Sequence, residues 1–425
     1  MRGNTIGVIW IGLSQFVLMA SNFLLLKLLT SQLSIYEFGQ YSLCISIVLF
    51  ARQVIYDPFS IVLAKECASS GSNLQGVSDR FRVLRFITDR LGASLFLLGA
   101  FILIYSKITN GNYVNGLVVG FCIVYLCANG AQGVYFNILN SIRDRKPASL
   151  FSITDSVLKI ILIFLAFGIG NKTLVYSLAS ISIGAFMVYW SLRIFVTKRF
   201  NSDESLVIND NSLVKHILIT STPFIFSTAL VAVKSVGDRW MLAGFLGVKN
   251  LAEYSVLLQL GYAPIMVLLG IGQTFIAPKI YSLCVSSDNN GMDELKKLLH
   301  KLLFIIFVVT CVACGGAMVL ASWVFKVLVG KNYHGLTIYL PLFVISGAFA
   351  AASGMFQIAV IGVFKSRDAS MFVVVSLVIS VALTALLIRS SGFEGAIAGL
   401  VISNAVTLFI YWLALYRGAF RTQVS

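Results

Sequence analysis

Twelve apolar segments constrain the fold of this chain more than any other feature of its sequence. A membrane-spanning helix needs about 20 mostly apolar residues. Of the 425 residues, 58% are hydrophobic and only 12% are charged, which excludes an ordinary soluble globular protein. The predicted spans lie at about residues 5–26, 41–63, 86–106, 114–138, 150–169, 174–195, 216–237, 251–273, 299–321, 337–360, 370–389 and 394–415. We therefore predict an all-α polytopic membrane protein with about 12 transmembrane helices.

The basic residues predict the orientation of these helices. If the N-terminus is cytoplasmic, 21 of the 32 Lys and Arg residues lie on the cytoplasmic side and 8 on the outer side. Cytoplasmic loops of membrane proteins carry such an excess, so both termini are predicted to be cytoplasmic. The net charge of +15 therefore indicates orientation and contact with anionic lipids, rather than binding to nucleic acid.

The two halves of the chain resemble each other. Three pairs of segments occupy equivalent places in the predicted topology, namely 34–42 with 247–255, 78–85 with 291–298, and 146–151 with 367–372. Because each half has an even number of spans, the pattern predicts two parallel six-helix repeats around a central cavity. The predicted N-terminal lobe covers residues 1–197, a cytoplasmic linker covers 198–213, and the C-terminal lobe covers 214–425.

Arg52 lies in the middle of the apolar run from Tyr41 to Ala64, which is predicted to form one helix. A charge at that depth is costly and usually lines a polar cavity or binds a partner. Gln53 is its neighbour and Tyr56 shares its face, whereas Asp57 at i+5 is expected to point away. A guanidinium in the middle of the membrane can bind a phosphate or carboxylate group through two parallel hydrogen bonds. The alternative is a structural ion pair, most simply with Asp155 and otherwise with Asp57. Pro58, in the same run, and Pro223 are candidate bending points.

Two further pairs of charges have helical spacing within spans. Asp155 and Lys159 lie four residues apart on one helix face, where they can pair with each other or line the cavity. Lys234 and Asp238 have the same spacing, and Lys234 can reach the cavity or the outer interface. Asp238 and Arg239 are predicted to mark the end of the seventh helix at the outer mouth of the cavity.

Residue patterns typical of enzymes and cofactor sites are missing from the sequence. The three histidines, His216, His300 and His334, have no metal-ligand spacing, and the seven cysteines suggest no disulfide framework. There is no Walker A sequence. We therefore predict no catalytic residue, no metal and no cofactor, and a protein that is not an enzyme. The amides of the fourth span, Asn129, Gln132 and Asn137 among them, are expected to join helices rather than bind substrate.

Several motifs carry a resemblance to a known family. They are SIYEFGQYSL at 34–43, RDRKPAS at 143–149, DRWMLAGFLGVKNLAEYSV at 238–256 and VLVGKNYHG at 327–335. With twelve spans, the chain resembles the polysaccharide-exporter branch of the multidrug/oligosaccharidyl-lipid/polysaccharide exporter superfamily, which includes the O-antigen (Wzx-type) flippases.

That resemblance implies a flippase of the bacterial inner membrane. It would move an undecaprenyl-diphosphate-linked oligosaccharide outward by alternating access, for the synthesis of O-antigen, capsule or exopolysaccharide. The implied cavity is lined by spans 1, 2, 7 and 8, which favours Arg52 and Lys234 as substrate contacts, with Gln53, Asp57, Asp155 and Lys159 as further candidates. The implied partners are the lipid-linked oligosaccharide and membrane lipids, with a polysaccharide polymerase and a chain-length regulator as further candidates.

Two other classes compete with this interpretation. A secondary exporter of a small drug or sugar from another twelve-helix family would have a similar hydropathy pattern. The major-facilitator class is disfavoured, because its loop between spans 2 and 3 carries a glycine-rich Asp-Arg-x-Gly-Arg pattern that Asp79-Arg80-Phe81-Arg82 lacks. A membrane glycosyltransferase or polymerase would need a larger outer loop than this sequence offers.

Overall fold

The computed structural model describes residues 2–69, 74–108, 113–142, 144–170, 172–199, 211–285, 289–364 and 366–421. These residues form helices joined by short turns, with no strand among them. The helices of the first half are α1 (Arg2–Gln32), α2 (Ile35–Ile55), α3 (Asp57–Ser69), α4 (Leu74–Ile108), α5 (Tyr113–Ser141), α6 (Arg145–Ile169) and α7 (Leu174–Arg199). The second half has α8 (Asn211–Leu246), α9 (Val248–Leu257), a π-helical turn (Leu258–Tyr262), α10 (Ala263–Val285), α11 (Asn289–Leu328), a 3₁₀ turn (Lys331–Tyr339), α12 (Leu340–Val363) and α13 (Ser366–Arg421).

The all-α polytopic fold is confirmed. Ten stretches of described residues are long and apolar enough to cross a membrane. One of them lies in α13, whose 56 residues would extend about 84 Å as one helix, far beyond a hydrocarbon core of about 30 Å. Gly392 interrupts α13 with φ 59° and ψ −130°, a conformation open to glycine alone, and so divides it into two spans. Counting both, together with α4 over the predicted span 86–106, gives the predicted twelve.

The contacts divide the chain into two compact units, residues 1–236 and 237–425. The predicted linker falls largely on residues 200–210, which lie outside the described residues, so the lobe boundaries stay a prediction. In the first unit α5 is central and packs against α2, α3, α4, α6 and α7. In the second unit α12 is central and packs against α10, α11, α13 and the π-helical turn.

The matching sequence segments of the two halves have matching structures. Tyr41 and Ser42 near the start of α2 are buried, and so are Tyr254 and Ser255 in α9, which occupy the equivalent places. The shared burial supports the predicted repeat.

The start of α2 explains the motif SIYEFGQYSL in purely local terms. Ser34 caps the helix by accepting a hydrogen bond from the Glu37 amide at 3.2 Å, and the Glu37 carboxylate accepts one from the Ser34 amide at 3.2 Å. This reciprocal arrangement satisfies amides that the first helical turn leaves without partners. It lets α2 follow α1 after a turn of only two residues.

The prediction of a single helix from Tyr41 to Ala64 is wrong. The chain leaves regular helix at Tyr56, and α3 starts at Asp57 with Pro58 as its second residue. Proline has no amide hydrogen and its ring clashes with the carbonyl four residues earlier, so it disfavours an uninterrupted helix. The buried Tyr56 ring packs directly on Gly130 of α5, where any side chain would overlap it. The interruption thus coincides with a close approach between α2 and α5.

Candidate functional site

Arg52 lies midway along the α2–α3 pair and faces α5. Its Nη1 donates a hydrogen bond to Asn129 Oδ1 at 3.1 Å. A Cβ atom placed on Gly133 would lie 3.4 Å from the guanidinium carbon, so the guanidinium lies directly over that glycine. Asn129 and Gly133 occupy successive turns of α5, and together they hold one face of the Arg52 side chain.

Asp57 joins Arg52 because of the interruption at Tyr56. Its Oδ1 lies 3.8 Å from Arg52 Nε, at the outer limit of an ion pair. The expectation that Asp57 points away from Arg52 is therefore wrong, since it assumed a regular helix between the two residues. The two side chains remain 30% and 27% exposed, so solvent or a ligand can reach this pair. Arg52, Asp57, Asn129 and Gly133 are called the Arg52 cluster below.

The Arg52 guanidinium has hydrogen-bonding capacity to spare. Arginine has five N–H donors in a planar fork, and its hydrogen bond among the described residues is the one to Asn129. Nε has no hydrogen-bond acceptor in the part of the chain that the structure describes. A fork with open donors, balanced by one loosely placed carboxylate, can bind a phosphate or carboxylate through two parallel hydrogen bonds.

Asp155 and Lys159 on α6 form a closed pair instead. Lys159 Nζ donates to Asp155 Oδ2 at 2.5 Å, and Gln132 Nε2 of α5 approaches Asp155 Oδ1 at 3.4 Å. The Lys159 ammonium also lies 5.2 Å from the centre of the Tyr125 ring. The two charged side chains are only 11% and 14% exposed. Asp155 is thus bonded within its own helix and to α5, and the simple bridge from Arg52 to Asp155 is not among the contacts of the described residues.

Gln53 and Lys234 lie where α2 approaches α8. Ser235 Oγ donates to Gln53 Oε1 at 3.4 Å, which places the residue next to Lys234 at this contact. Lys234 is half-buried. Gln53 and Arg52 therefore point to different neighbours, Gln53 to α8 and Arg52 to α5.

Asp238 and Arg239 lie inside α8 rather than at its end. The prediction that they mark the helix end is wrong, because the helix continues through the apolar residues that follow and ends at Leu246. Tyr254 of α9 donates to Asp238 Oδ2 at 2.6 Å, and the Arg239 amide donates to Oδ1 at 2.8 Å. Arg239 Nε is buried without a hydrogen-bond partner among the described residues.

The amides of α5 behave as predicted and join helices. Gln132 donates to the carbonyl oxygen of Ala185 in α7 at 2.6 Å, and Asn137 donates to Ser60 Oγ of α3 at 2.6 Å. Asn129 is the exception, because its partner is Arg52 itself. The amide pattern predicts that Asn129 joins helices rather than binds substrate, and no sequence pattern singles out Tyr254. Asn129 lies one helical turn before Gly133 on the same face of α5. This spacing is the pattern from which its contact with the Arg52 guanidinium could have been predicted.

In the described residues no group of three His, Cys, Asp or Glu side chains could hold a metal ion. The structure presents a bundle of membrane-spanning helices in which the Arg52 cluster stays partly accessible. Fold and site together define a polytopic membrane protein.

The chain belongs to the polysaccharide biosynthesis protein family, whose model matches residues 5–283. That family is part of the multidrug/oligosaccharidyl-lipid/polysaccharide exporter superfamily, so the predicted superfamily is confirmed. No curated protein matches the chain in sequence.

Solved structures with the same fold come from that superfamily. The lipid II flippase MurJ in an inward closed conformation aligns with a TM-score of 0.72 at 12% identity, over 99% of this chain and 91% of that chain. An outward-facing multidrug resistance MATE family transporter aligns with a TM-score of 0.63 at 14% identity, over 99% and 96%. The Vibrio cholerae MATE transporter VcmN in its bent form aligns with a TM-score of 0.57 at 12% identity, over 100% and 99%. At these identities the likeness establishes the fold.

Proposed function

We propose that this protein flips an undecaprenyl-diphosphate-linked oligosaccharide across the bacterial inner membrane by alternating access. The product would serve the synthesis of O-antigen, capsule or exopolysaccharide. The family's link to polysaccharide biosynthesis supports a glycan substrate. One of the similar structures is that of a lipid II flippase, and this likeness supports a glycan substrate that is linked to a lipid.

The observation that carries the proposal is the accessible guanidinium of Arg52. A diphosphate buried at mid-membrane needs a cationic partner with several directed donors, because an unpaired charge there is costly. Arg52 has a buried Nε without an acceptor and an exposed fraction of 30%. Lys159, by contrast, is enclosed together with the Asp155 carboxylate. Arg52 is therefore the proposed diphosphate contact, and Lys159 and Asp155 are proposed as structural residues.

Asp57 gives the site a way to release its substrate. When the site is empty, the carboxylate partly neutralises Arg52 at 3.8 Å. A diphosphate would compete with Asp57 for the guanidinium, so the ion pair would loosen on binding and re-form on release. Such a weak internal counter-ion avoids leaving a bare cation in the membrane during the return step.

Flipping of a defined lipid-linked glycan in proteoliposomes tests the proposal. We expect Arg52→Ala to abolish flipping while the protein still inserts and purifies as a folded species. Arg52→Lys should retain only part of the activity, because an ammonium keeps the charge but not the two parallel hydrogen bonds. Arg389→Ala, which removes an arginine next to the Gly392 turn, is the matched control and should flip normally.

A charge exchange separates substrate binding from a structural ion pair. The exchange combines Arg52→Asp with Asp57→Arg, because Asp57 is the carboxylate that contacts Arg52. A folded but inactive exchange variant supports the diphosphate contact. Full activity in the exchange variant would mean that only the ion pair matters, and Arg52 would not be the substrate contact.

Export of a small drug or sugar is the second candidate function. Multidrug transporters are among the similar structures, and an accessible Arg–Asp pair also suits an organic cation or a sugar hydroxyl. A cationic drug should depend on Asp57 more than on Arg52, whereas a diphosphate should show the reverse. Comparing Asp57→Asn with Arg52→Gln in growth-inhibition and flipping assays therefore distinguishes the two.

The proposed setting is the bacterial inner membrane with both chain termini in the cytoplasm. The excess of basic residues on one side supports this orientation. Membrane lipids and the lipid-linked oligosaccharide are the proposed partners, and a polysaccharide polymerase with a chain-length regulator would consume the product.

A further inference from the structure

A crevice on the first unit lies apart from the Arg52 cluster. Helices α4 and α7 form its two sides and α5 forms its floor, and it encloses a volume of about 370 Å³. The floor consists of Val124, Cys127, Ala128 and Ala131, so small and apolar side chains leave the space open. The volume lies within the range of about 300–1,000 Å³ that is typical of sites for small ligands.

The sides of the crevice present apolar surface outward. Phe96 of α4 is 49% exposed, and Phe186 and Trp190 of α7 are 44% and 49% exposed. Their neighbours along both helices, such as Leu97 and Met187, are exposed and apolar as well. Exposed apolar faces on membrane-spanning helices contact lipid chains. The crevice therefore opens where acyl chains are the surrounding solvent.

One end of the crevice is charged. Asp89 accepts from Arg193 Nη2 at 2.7 Å and from the Tyr189 hydroxyl at 3.1 Å, and Arg85 Nε lies 3.7 Å from it. Arg90, the next residue along α4, stacks on the Phe86 ring instead, with its guanidinium 4.3 Å from the ring centre. Two arginines, Arg85 and Arg193, contact one aspartate, so an excess of one positive charge remains. In the predicted topology this end lies at the cytoplasmic leaflet, whose lipids are partly anionic.

We propose that this crevice binds an anionic phospholipid of the cytoplasmic leaflet. One acyl chain lies on the small residues of the α5 floor, and the phosphate contacts Arg193 at the charged end. Asp89 holds Arg193 in place across the α4–α7 gap and leaves its remaining donors for the phosphate. The inference rests on the membrane fold and is independent of the substrate proposed above.

Tryptophan fluorescence quenched by lipids with brominated chains provides the test. Trp190 lines the crevice, so the full chain keeps Trp190 and has its four other tryptophans changed to Phe. The measured quantity is the ratio of phosphatidylglycerol to phosphatidylcholine binding at Trp190 in bilayers of both lipids. A second protein that keeps only Trp323, which is 62% exposed on α11, measures ordinary contact with bulk lipid. We expect a ratio of about five at Trp190, the effect of one basic residue near a lipid surface, and about one at Trp323.

Filling the crevice should remove this preference. A Cβ on Gly92, which lines the crevice on α4, would meet nothing within 4 Å, so Gly92→Leu adds a side chain to the open space without a clash. Gly168→Leu on α6 is the matched control, since its Cβ also meets nothing. We expect the ratio at Trp190 to fall to about one in Gly92→Leu and to stay at about five in Gly168→Leu.

Substitutions of Arg193 test the charged end of the crevice. Arg193→Gln should lower the ratio at Trp190, and Arg193→Lys should keep it because the positive charge and the contact with Asp89 remain. If Arg193→Gln fails to purify, Arg85→Gln, which removes the other positive charge beside Asp89, replaces it and should also lower the ratio.

Three results would overturn the proposal. The first is a ratio of about one at Trp190 in the parent protein, and the second is an unchanged ratio in Gly92→Leu, which would mean attraction to the surface alone. The third is displacement of the brominated lipid by undecaprenyl phosphate but not by excess phosphatidylglycerol, which would identify a polyprenyl chain as the occupant.

Discussion

At the scale of single residues, Gly130 on α5 sets how closely the Tyr56 ring at the end of α2 can approach that helix. A Cβ on Gly130 would overlap the Tyr56 ring, whereas a Cβ on Gly133 would make an ordinary contact of 3.4 Å with the Arg52 guanidinium. We expect Gly130→Ala to destabilise the protein by about 1–3 kcal/mol through overpacking. Gly133→Ala is the matched control and should be nearly neutral. Thermal unfolding of the purified variants measures the difference, and equal melting temperatures would contradict this assignment of the close contact.

The enclosed pair on α6 gives a second prediction at this scale. Lys159→Met leaves the Asp155 carboxylate buried with only Gln132 beside it, and breaking a buried pair in this way costs about 3–5 kcal/mol. We expect poor recovery of folded Lys159→Met. Adding Asp155→Leu removes the unpaired charge and should restore both folding and flipping. A double variant that folds but does not flip the lipid-linked glycan would indicate that Lys159 and Asp155 contact the substrate.

At the scale of secondary-structure elements, the interruption between α2 and α3 assembles the Arg52 cluster. Pro58→Ala restores an amide and favours a continuous helix, which would rotate Asp57 away from Arg52. We expect flipping to fall while the melting temperature stays the same or rises, since proline is unfavourable inside a helix. Pro223→Ala is the control, because α8 stays helical across that position and contributes nothing to the cluster. Unchanged flipping in Pro58→Ala would mean that the packing of Tyr56 on Gly130 is enough to hold the interruption.

At the scale of the whole molecule, the topology follows from charge and from the count of spans. Reporter fusions after Ser425 and within residues 201–211 should give a cytoplasmic signal. Fusions at the turn after Gly170 and at the Gly392 turn are the controls and should give a periplasmic signal. These controls work because α6 and the first half of α13 are each expected to cross the membrane once. A periplasmic signal from the chain terminus would overturn the twelve-span arrangement.

Sequence alone determined the class of fold, the approximate spans and the likeness of the two halves. Those properties depend on the composition of each segment and on helical geometry, which are local. The depth of Arg52 could also be predicted, because it follows from position along an apolar run. The motif of Ser34 and Glu37 belongs here too, since capping involves residues three apart.

Only the tertiary structure decided which charges pair and which stay accessible. Arg52 meets Asn129 across 77 positions of sequence, and its contact with Asp57 exists because the helix is interrupted where Tyr56 packs on α5. Lys159 has the same spacing from a carboxylate as Lys234, yet it is enclosed because Gly184 of α7 and Tyr125 of α5 pack around it. Sequence spacing fixes the face of a helix on which a charge lies. The packing of neighbouring helices, through contacts distant in sequence, fixes what that face meets.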